Sequence, residues 1–317
     1  MKLLIVLGTS SSETVLPDMM RKLKLLGAPR TIVRFVFPTG YSFNTDGNNT
    51  HLTLCIVFLA QATNTHLAGR GFVSNGKANS VTIFDLKTLK TIAVVPVSGQ
   101  NPDAIFYDAA TKRVFTFNGK TKDATAINAT DGRIIGTVAL GGKPEFAAGA
   151  GDGIIFVNNE DTSQLMQFDA RKLALIHNWP MGPCKSPSGL AMDTKNRRLF
   201  AVCDGGVMAI LNADNGKVIA TPKIGEEPDA AGFDPETGYA FSSNGGDGTL
   251  TVVHEDSPDK FTVVENVPTQ KYARTMAIDF KTHNIFLPLA VFEGTTAAGE
   301  RRPPMKKDSF AVLLVGK

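Results

Sequence analysis

Residues 102–118 read Pro-Asp-Ala-Ile-Phe-Tyr-Asp-Ala-Ala-Thr-Lys-Arg-Val-Phe-Thr-Phe-Asn. A proline-led apolar strand runs to Asp108, a polar turn reverses the chain, and a second apolar strand carries Phe115. The unit recurs: Pro187 leads to Asp193 and Phe200, Pro228 leads to Asp234 and Phe241, and Asp279 precedes Phe286 by the same seven residues. An aspartate that opens a turn accepts hydrogen bonds from amides two or three residues on, so these aspartates read as turn formers. Phe72, Phe115, Phe156, Phe200, Phe241 and Phe286 follow one another at 43, 41, 44, 41 and 45 residues. A period of about 40–45 residues with several short strands per unit is the signature of a β-propeller.

The remaining strands of each unit follow. Third strands end in Asp or Asn in most copies, as in Val81–Asp85, Thr125–Asn128, Met166–Asp169 and Ala209–Asn212, with Val252–His254 as a fifth. Fourth strands such as Lys90–Val95 and Arg133–Val138 come next. Short apolar runs without strict alternation suit strands buried between stacked blades. In the last unit, Tyr272–Met276 stands where the first strand is expected, without its proline. The expected tally is five first, six second, six third and five fourth strands, about 22, against roughly 28 in a seven-bladed ring of four-stranded sheets. Val291–Ser309, rich in Gly, Pro and charge, reads as an insertion in the last unit.

Composition narrows the function. With 33 basic and 30 acidic residues the net charge is +3, and no basic stripe is present, so nucleic acid is not an expected partner. Thirty Gly and 17 Pro fit a chain full of tight turns. Cys55, Cys184 and Cys203 have no metal-ligand spacing; Cys184 and Cys203 flank one predicted hairpin, leaving open a disulfide or two small buried side chains. The five histidines are scattered and no nucleotide, zinc-protease or EF-hand motif occurs. No enzyme activity, resident metal or cofactor is expected. Trp179 reads as packing between blades.

Residues 1–67 differ in character. Ser10 and Glu13 have capping-box spacing, and Pro17, Asp18 and Gly27 mark the ends of an expected helix near 14–26. A second helix is expected near 50–64, after the polar interruption Asn44-Thr45-Asp46-Gly47-Asn48. In a membrane such a break marks an ion site; in water Asn44 and Asp46 would cap the second helix. The residues alone leave both open.

Gly8-Thr9-Ser10-Ser11-Ser12-Glu13, Leu16-Pro17, Pro38-Thr39-Gly40-Tyr41-Ser42-Phe43-Asn44 and Ala60-Gln61-Ala62-Thr63-Asn64 resemble the dicarboxylate/amino-acid:cation symporter family, particularly bacterial C4-dicarboxylate members. The resemblance covers residues 4–67. It implies substrate contact at Ser10, Ser11 and Ser12, and cation ligation at Gly40, Ser42, Asn44 and Asp46, with sodium as the ion and a membrane as the setting. Thr45 and Asn48 depart from the family's pattern, and the remaining ligands of such a site lie on spans beyond this segment. The site is therefore expected to be vestigial.

Phe72-Val73-Ser74-Asn75-Gly76 and Phe241-Ser242-Ser243-Asn244-Gly245 resemble the strand that names the YVTN/YncE-type propeller family, which is seven-bladed and extracytoplasmic. The expected organisation is a symporter-like helical fragment at 1–67 and a mainly β propeller at 68–317, N-terminally truncated to about five or six blades. The expected function is non-enzymatic binding or scaffolding of an unknown ligand or protein at a propeller face; a symporter-class membrane protein is the alternative. Propeller ligands meet the loops at one end of the channel, where Asp103, Glu145 and Asp229 follow the repeated prolines, with Lys143 and Lys185 nearby. These carboxylates are either a face for a cationic ligand or simple turn formers.

Overall fold

The computed structural model describes residues 69–296, 303–307 and 309–316. The two helices expected near 14–26 and 50–64, with Ser10, Ser11, Ser12, Gly40, Ser42, Asn44 and Asp46, lie outside the described residues. Ala68–Leu289 with Val312–Lys317 form one compact unit. It is a six-bladed β-propeller.

Blade one holds β1 (Arg70–Asn75), β2 (Ser80–Asp85) and β3 (Thr91–Pro96). Blade two holds β4 (Pro102–Asp108), β5 (Arg113–Asn118), β6 (Asp123–Asn128) and β7 (Ile134–Ala139). Blade three holds β8 (Pro144–Gly149), β9 (Ile154–Asn159), β10 (Gln164–Asp169) and β11 (Ala174–Pro180). Blade four holds β12 (Lys185–Asp193), β13 (Arg198–Asp204), β14 (Val207–Asn212) and β15 (Val218–Ala220). Blade five holds β16 (Pro228–Asp234), β17 (Tyr239–Asn244), β18 (Thr249–Ser257) and β19 (Lys260–Pro268). Blade six holds β20 (Ala277–Asp279), β21 (Asn284–Leu289) and β22 (Ala311–Val315).

Among the described residues the 22 strands fall into the tally read from the repeat, with no first strand in blade one and no fourth in blade six. Pairing within the blades is antiparallel, as in β5 with β6 and β13 with β14. β1 and β22 remain in separate three-stranded sheets and complete no shared blade. One expectation is corrected: Tyr272–Met276 is not a strand, and β20 starts at Ala277. Tyr272 sits at φ +70° and the Ala273 amide donates to the Gln270 carbonyl at 3.0 Å, so the segment turns where the other blades begin to extend. In the second unit, the insertion is a hairpin: Phe292 bridges Met305, and the Lys306 amide donates to the Val291 carbonyl at 2.7 Å.

The apolar runs are buried because each sheet is sandwiched. Five core clusters among the described residues fill the five junctions between consecutive blades. Phe115, Phe156 and Phe200 are at most 1% exposed, and burying each stabilises the fold by roughly 1.5–3 kcal/mol. Trp179 packs between blades as expected, its ring lying over Gly216 of blade four, where a Cβ would fall 2.1 Å from it. Cys184 and Cys203 form a disulfide with Cα atoms 5.4 Å apart, inside the core between blades three and four.

The repeated aspartates are turn formers. Asp108, fully buried, accepts from the Thr111 amide at 2.9 Å and its hydroxyl at 2.6 Å. Its other oxygen accepts from the Gly153 amide of the next blade at 3.1 Å. Asp193 accepts from the Lys195 and Asn196 amides. At the opposite end of the strands, side chains lace blade to blade. Ser74 donates to the Asp103 carbonyl, Asn158 to the Ser188 and Gly189 carbonyls, and Ser243 to the Arg274 carbonyl. Gly189 is obligatory there, since a Cβ would fall 2.4 Å from the Ala231 amide nitrogen of the neighbouring inner strand.

Candidate functional site

The inner strands β4, β8 and β16 start at Pro102, Pro144 and Pro228, paired opposite Asn118, Asn159 and Asn244 at the ends of the second strands. The residues after those prolines therefore share one end of the channel with the hairpins joining second to third strands. These hairpins are held by asparagine. Asn75 donates to Ser80 and Thr82, Asn118 to Asp123 and Thr125, and Asn244 to Thr249 and Thr251, at 2.6–3.1 Å. Each partner lies five or seven residues on. In blade three Asn159 donates instead to the Leu140 carbonyl at 2.9 Å.

The residue after this asparagine position is Gly76, Gly119 and Gly245 in three blades, but Glu160 and Asp204 in blades three and four. Those two substitutions add acid to the mouth. Lys143 forms ion pairs with Glu145, at 2.7 Å, and with Glu160. Asp229 pairs with Arg274 at 2.7 Å. Glu145 bonds Lys143 and Asp229 bonds Arg274, while the Asp103 carbonyl accepts from Ser74.

Electrostatics join the acids into one group. Burial pushes the Glu145 carboxyl above its usual range; Lys143 opposes this, and the charges of Glu160 and Asp103 add to it. Burial also raises Asp204, reinforced by Glu160 and Glu227 and opposed by Arg274. For Lys143, the cost of burial is outweighed by Glu145 and Glu160, and its ammonium is held above the usual value. Thus Asp103 of blade two, Glu145 and Glu160 of blade three, Asp204 of blade four and Glu227 and Asp229 of blade five feel one another or a shared cation. Lys185, exposed at the start of β12, enters none of these ion pairs.

The arrangement suits a cation held by hydrogen bonds. Among the described residues no three His, Cys, Asp or Glu side chains gather closely enough to hold a metal ion. The three histidines among the described residues have separate tasks: His177 stacks on Trp179, His254 bonds Asp256, and His283 bonds Asp234 at 2.7 Å. Sequence reading missed Glu160, Asp204 and Arg274. Aligning the units on their repeated phenylalanines exposes the first two as acids in a glycine position, four residues after Phe156 and Phe200.

Comparison with known proteins divides the chain. The sequence model of the Sodium:dicarboxylate symporter family matches residues 1–74, ending inside β1. C4-dicarboxylate transport protein 4 of Bradyrhizobium diazoefficiens is 52% identical over 104 residues, covering 30% of this chain and 24% of that protein. The C4-dicarboxylate transport protein of Serratia proteamaculans is 61% identical over 66 residues, covering 21% and 15%. The chain spans about a quarter or less of the length of these curated relatives. Solved structures similar to the propeller include Kuenenia stuttgartiensis hydrazine synthase, with a TM-score of 0.60 at 15% identity over 69% of this chain and 70% of that one. A functionally unknown protein of Desulfotomaculum acetoxidans gives 0.61 at 12% identity over 71% and 76%. At such identities the likeness is one of fold. The chain is a β-propeller joined to an N-terminal segment similar to sodium:dicarboxylate symporters.

Proposed function

We propose that the protein is a non-enzymatic binding or scaffold protein that takes a cationic group, an ammonium or guanidinium, at the channel mouth. One observation carries the reading: carboxylates from four consecutive blades meet there, and among the described residues only Lys143 and Arg274 pair with them. Asp103 and Asp204 are exposed and supply the free charge. Glu145 and Asp229, already engaged, orient the flanking cations. Partly buried carboxylates attract a cation more strongly than fully hydrated ones, and a channel mouth focuses their field.

Calorimetric titration with spermidine tests this. Binding should weaken with added salt and in the Asp103→Asn/Asp204→Asn double variant. That pair is preferred to Asp103→Ala/Asp229→Ala, because removing Asp229 strips Arg274 of its ion-pair partner. Affinity should rise with pH as Glu145 and Asp204, both shifted upward, lose their protons. Absence of binding, or binding equal in the double variant, would remove the proposal.

The match over residues 1–74 favours a second reading, a symporter-class membrane protein using Ser10–Ser12 for substrate and Gly40, Ser42, Asn44 and Asp46 for sodium. On the main reading that site is vestigial, and purified protein in vesicles takes up no succinate in a sodium gradient. Uptake abolished by Asp46→Ala would establish the second reading instead.

A further inference from the structure

Every fourth strand skips one of its own residues against its third, and the skipped residue is always β-branched: Ile92, Ile135, Ile176, Ile219 and Val264. A bulge on an outer strand twists the edge away from foreign strands, so five blades carry protected edges. Among the described residues blade six has no fourth strand. Its outermost strand is β22, Ala-Val-Leu-Leu-Val, whose Leu314 is 56% exposed. A third strand in that position presents a row of backbone groups made for an antiparallel partner.

Beside it lies a cavity of about 300 Å³, with Phe241, Leu250 and Val252 of blade five on one side and Ile285 and Val315 of blade six on the other. Two other junctions show what belongs there. Three residues before the bulge, Leu173 packs back onto the core of the preceding blade around Phe115. Phe261 does the same at the equivalent position of blade five, edge-on to Phe200 with ring centroids 6.0 Å apart. Phe115 and Phe200 are fully buried, whereas Phe241 keeps 7% exposure. The two fourth strands that supply these plugs read alike: Lys172-Leu-Ala-Leu-Ile-His-Asn-Trp179 and Lys260-Phe-Thr-Val-Val-Glu-Asn-Val267.

We propose that the open edge of blade six captures an extended strand of another polypeptide, pairing antiparallel with β22. Its pattern is that of the two octamers: lysine, then leucine or phenylalanine, then a β-branched residue three positions on. The leucine or phenylalanine enters the cavity over Phe241. The lysine suits Glu265, which is exposed and lines the same cavity. A second copy of this chain is a poor donor, since its own copies of both octamers are already hydrogen-bonded within complete blades.

The test is fluorescence anisotropy with the labelled, end-blocked octamer of residues 260–267 titrated with the full chain. Saturable binding is expected. It should weaken at least about tenfold when serine replaces phenylalanine in the peptide. It should weaken likewise in Val264→Lys protein, where a half-exposed cavity residue becomes charged without disturbing the core. Hydrogen exchange at Ala311–Val315 should slow on binding. No saturable binding, or binding indifferent to both changes, overturns the proposal. So does a concentration-dependent dimer that Val264→Lys dissolves, since the occupant would then be a second copy.

Discussion

Removing the Cys184–Cys203 bridge with the pair Cys184→Ala/Cys203→Ala gives a stability change that follows from the structure. The bond closes a 19-residue loop, and the chain-entropy relation for a loop of that length yields about 3 kcal/mol of stabilisation at 25 °C. Both sulfurs are buried beside Leu190 and Leu199, so alanine also removes packed atoms and the loss should be no smaller than the loop term. For a unit of this size, at roughly 2–4 °C per kcal/mol, the midpoint should fall by about 6–12 °C. Urea unfolding with and without dithiothreitol is the assay. Reductant should destabilise the wild type to near the level of the double variant and leave the variant unchanged. Denatured, unreduced wild type should show one free thiol of its three cysteines, that of Cys55. Three free thiols, or a stability loss under about 1 kcal/mol, would refute the reasoning.

Glu255 gives a pH prediction. One of its oxygens accepts from Asn196 at 3.0 Å and the other is buried without a partner, while burial first and the Asp193 charge second lift its pKa to about 7, with Arg198 opposing. The folded state therefore holds a proton that the unfolded state releases near 4.5, and stability falls as pH rises from about 4.5 to about 7. Discounted for partial exposure, the loss is about 1–2 kcal/mol; Glu255→Gln should flatten the profile of urea midpoints between pH 5 and 8, and a profile parallel to wild type counts against the assignment. Asn118→Ala strands the fully buried Thr125 hydroxyl and should cost about 1–3 kcal/mol in the same assay. Adding Thr125→Val should recover part of that loss, and strict additivity would show that the pair is not coupled.

What the sequence made legible was local. The phenylalanine period, the Asp-to-Phe turns and the five, six, six, five distribution of strands all depend on side chains a few residues apart, and all appear in the structure. Tyr272–Met276 misled because its apolar content resembles a first strand, while the turn at Tyr272 is imposed by bonds to Gly245 and Gln270. The mouth was half legible. Asp103, Glu145 and Asp229 follow a visible proline, but Glu160 and Asp204 come from hairpins and Arg274 from the turn before β20, all brought close only by the ring. The aliphatic bulges are spaced 41–45 residues apart yet look like ordinary strand residues until the pairing is seen.

The most direct test of the central claim is carbodiimide labelling of carboxylates, read by mass spectrometry with and without spermidine. The account predicts protection of Asp103, Glu145, Asp204 and Asp229, and unchanged labelling of Glu236, Asp256 and Asp279, which lie away from the mouth. Protection confined to those latter three, or no protection at all while spermidine binds, would contradict it.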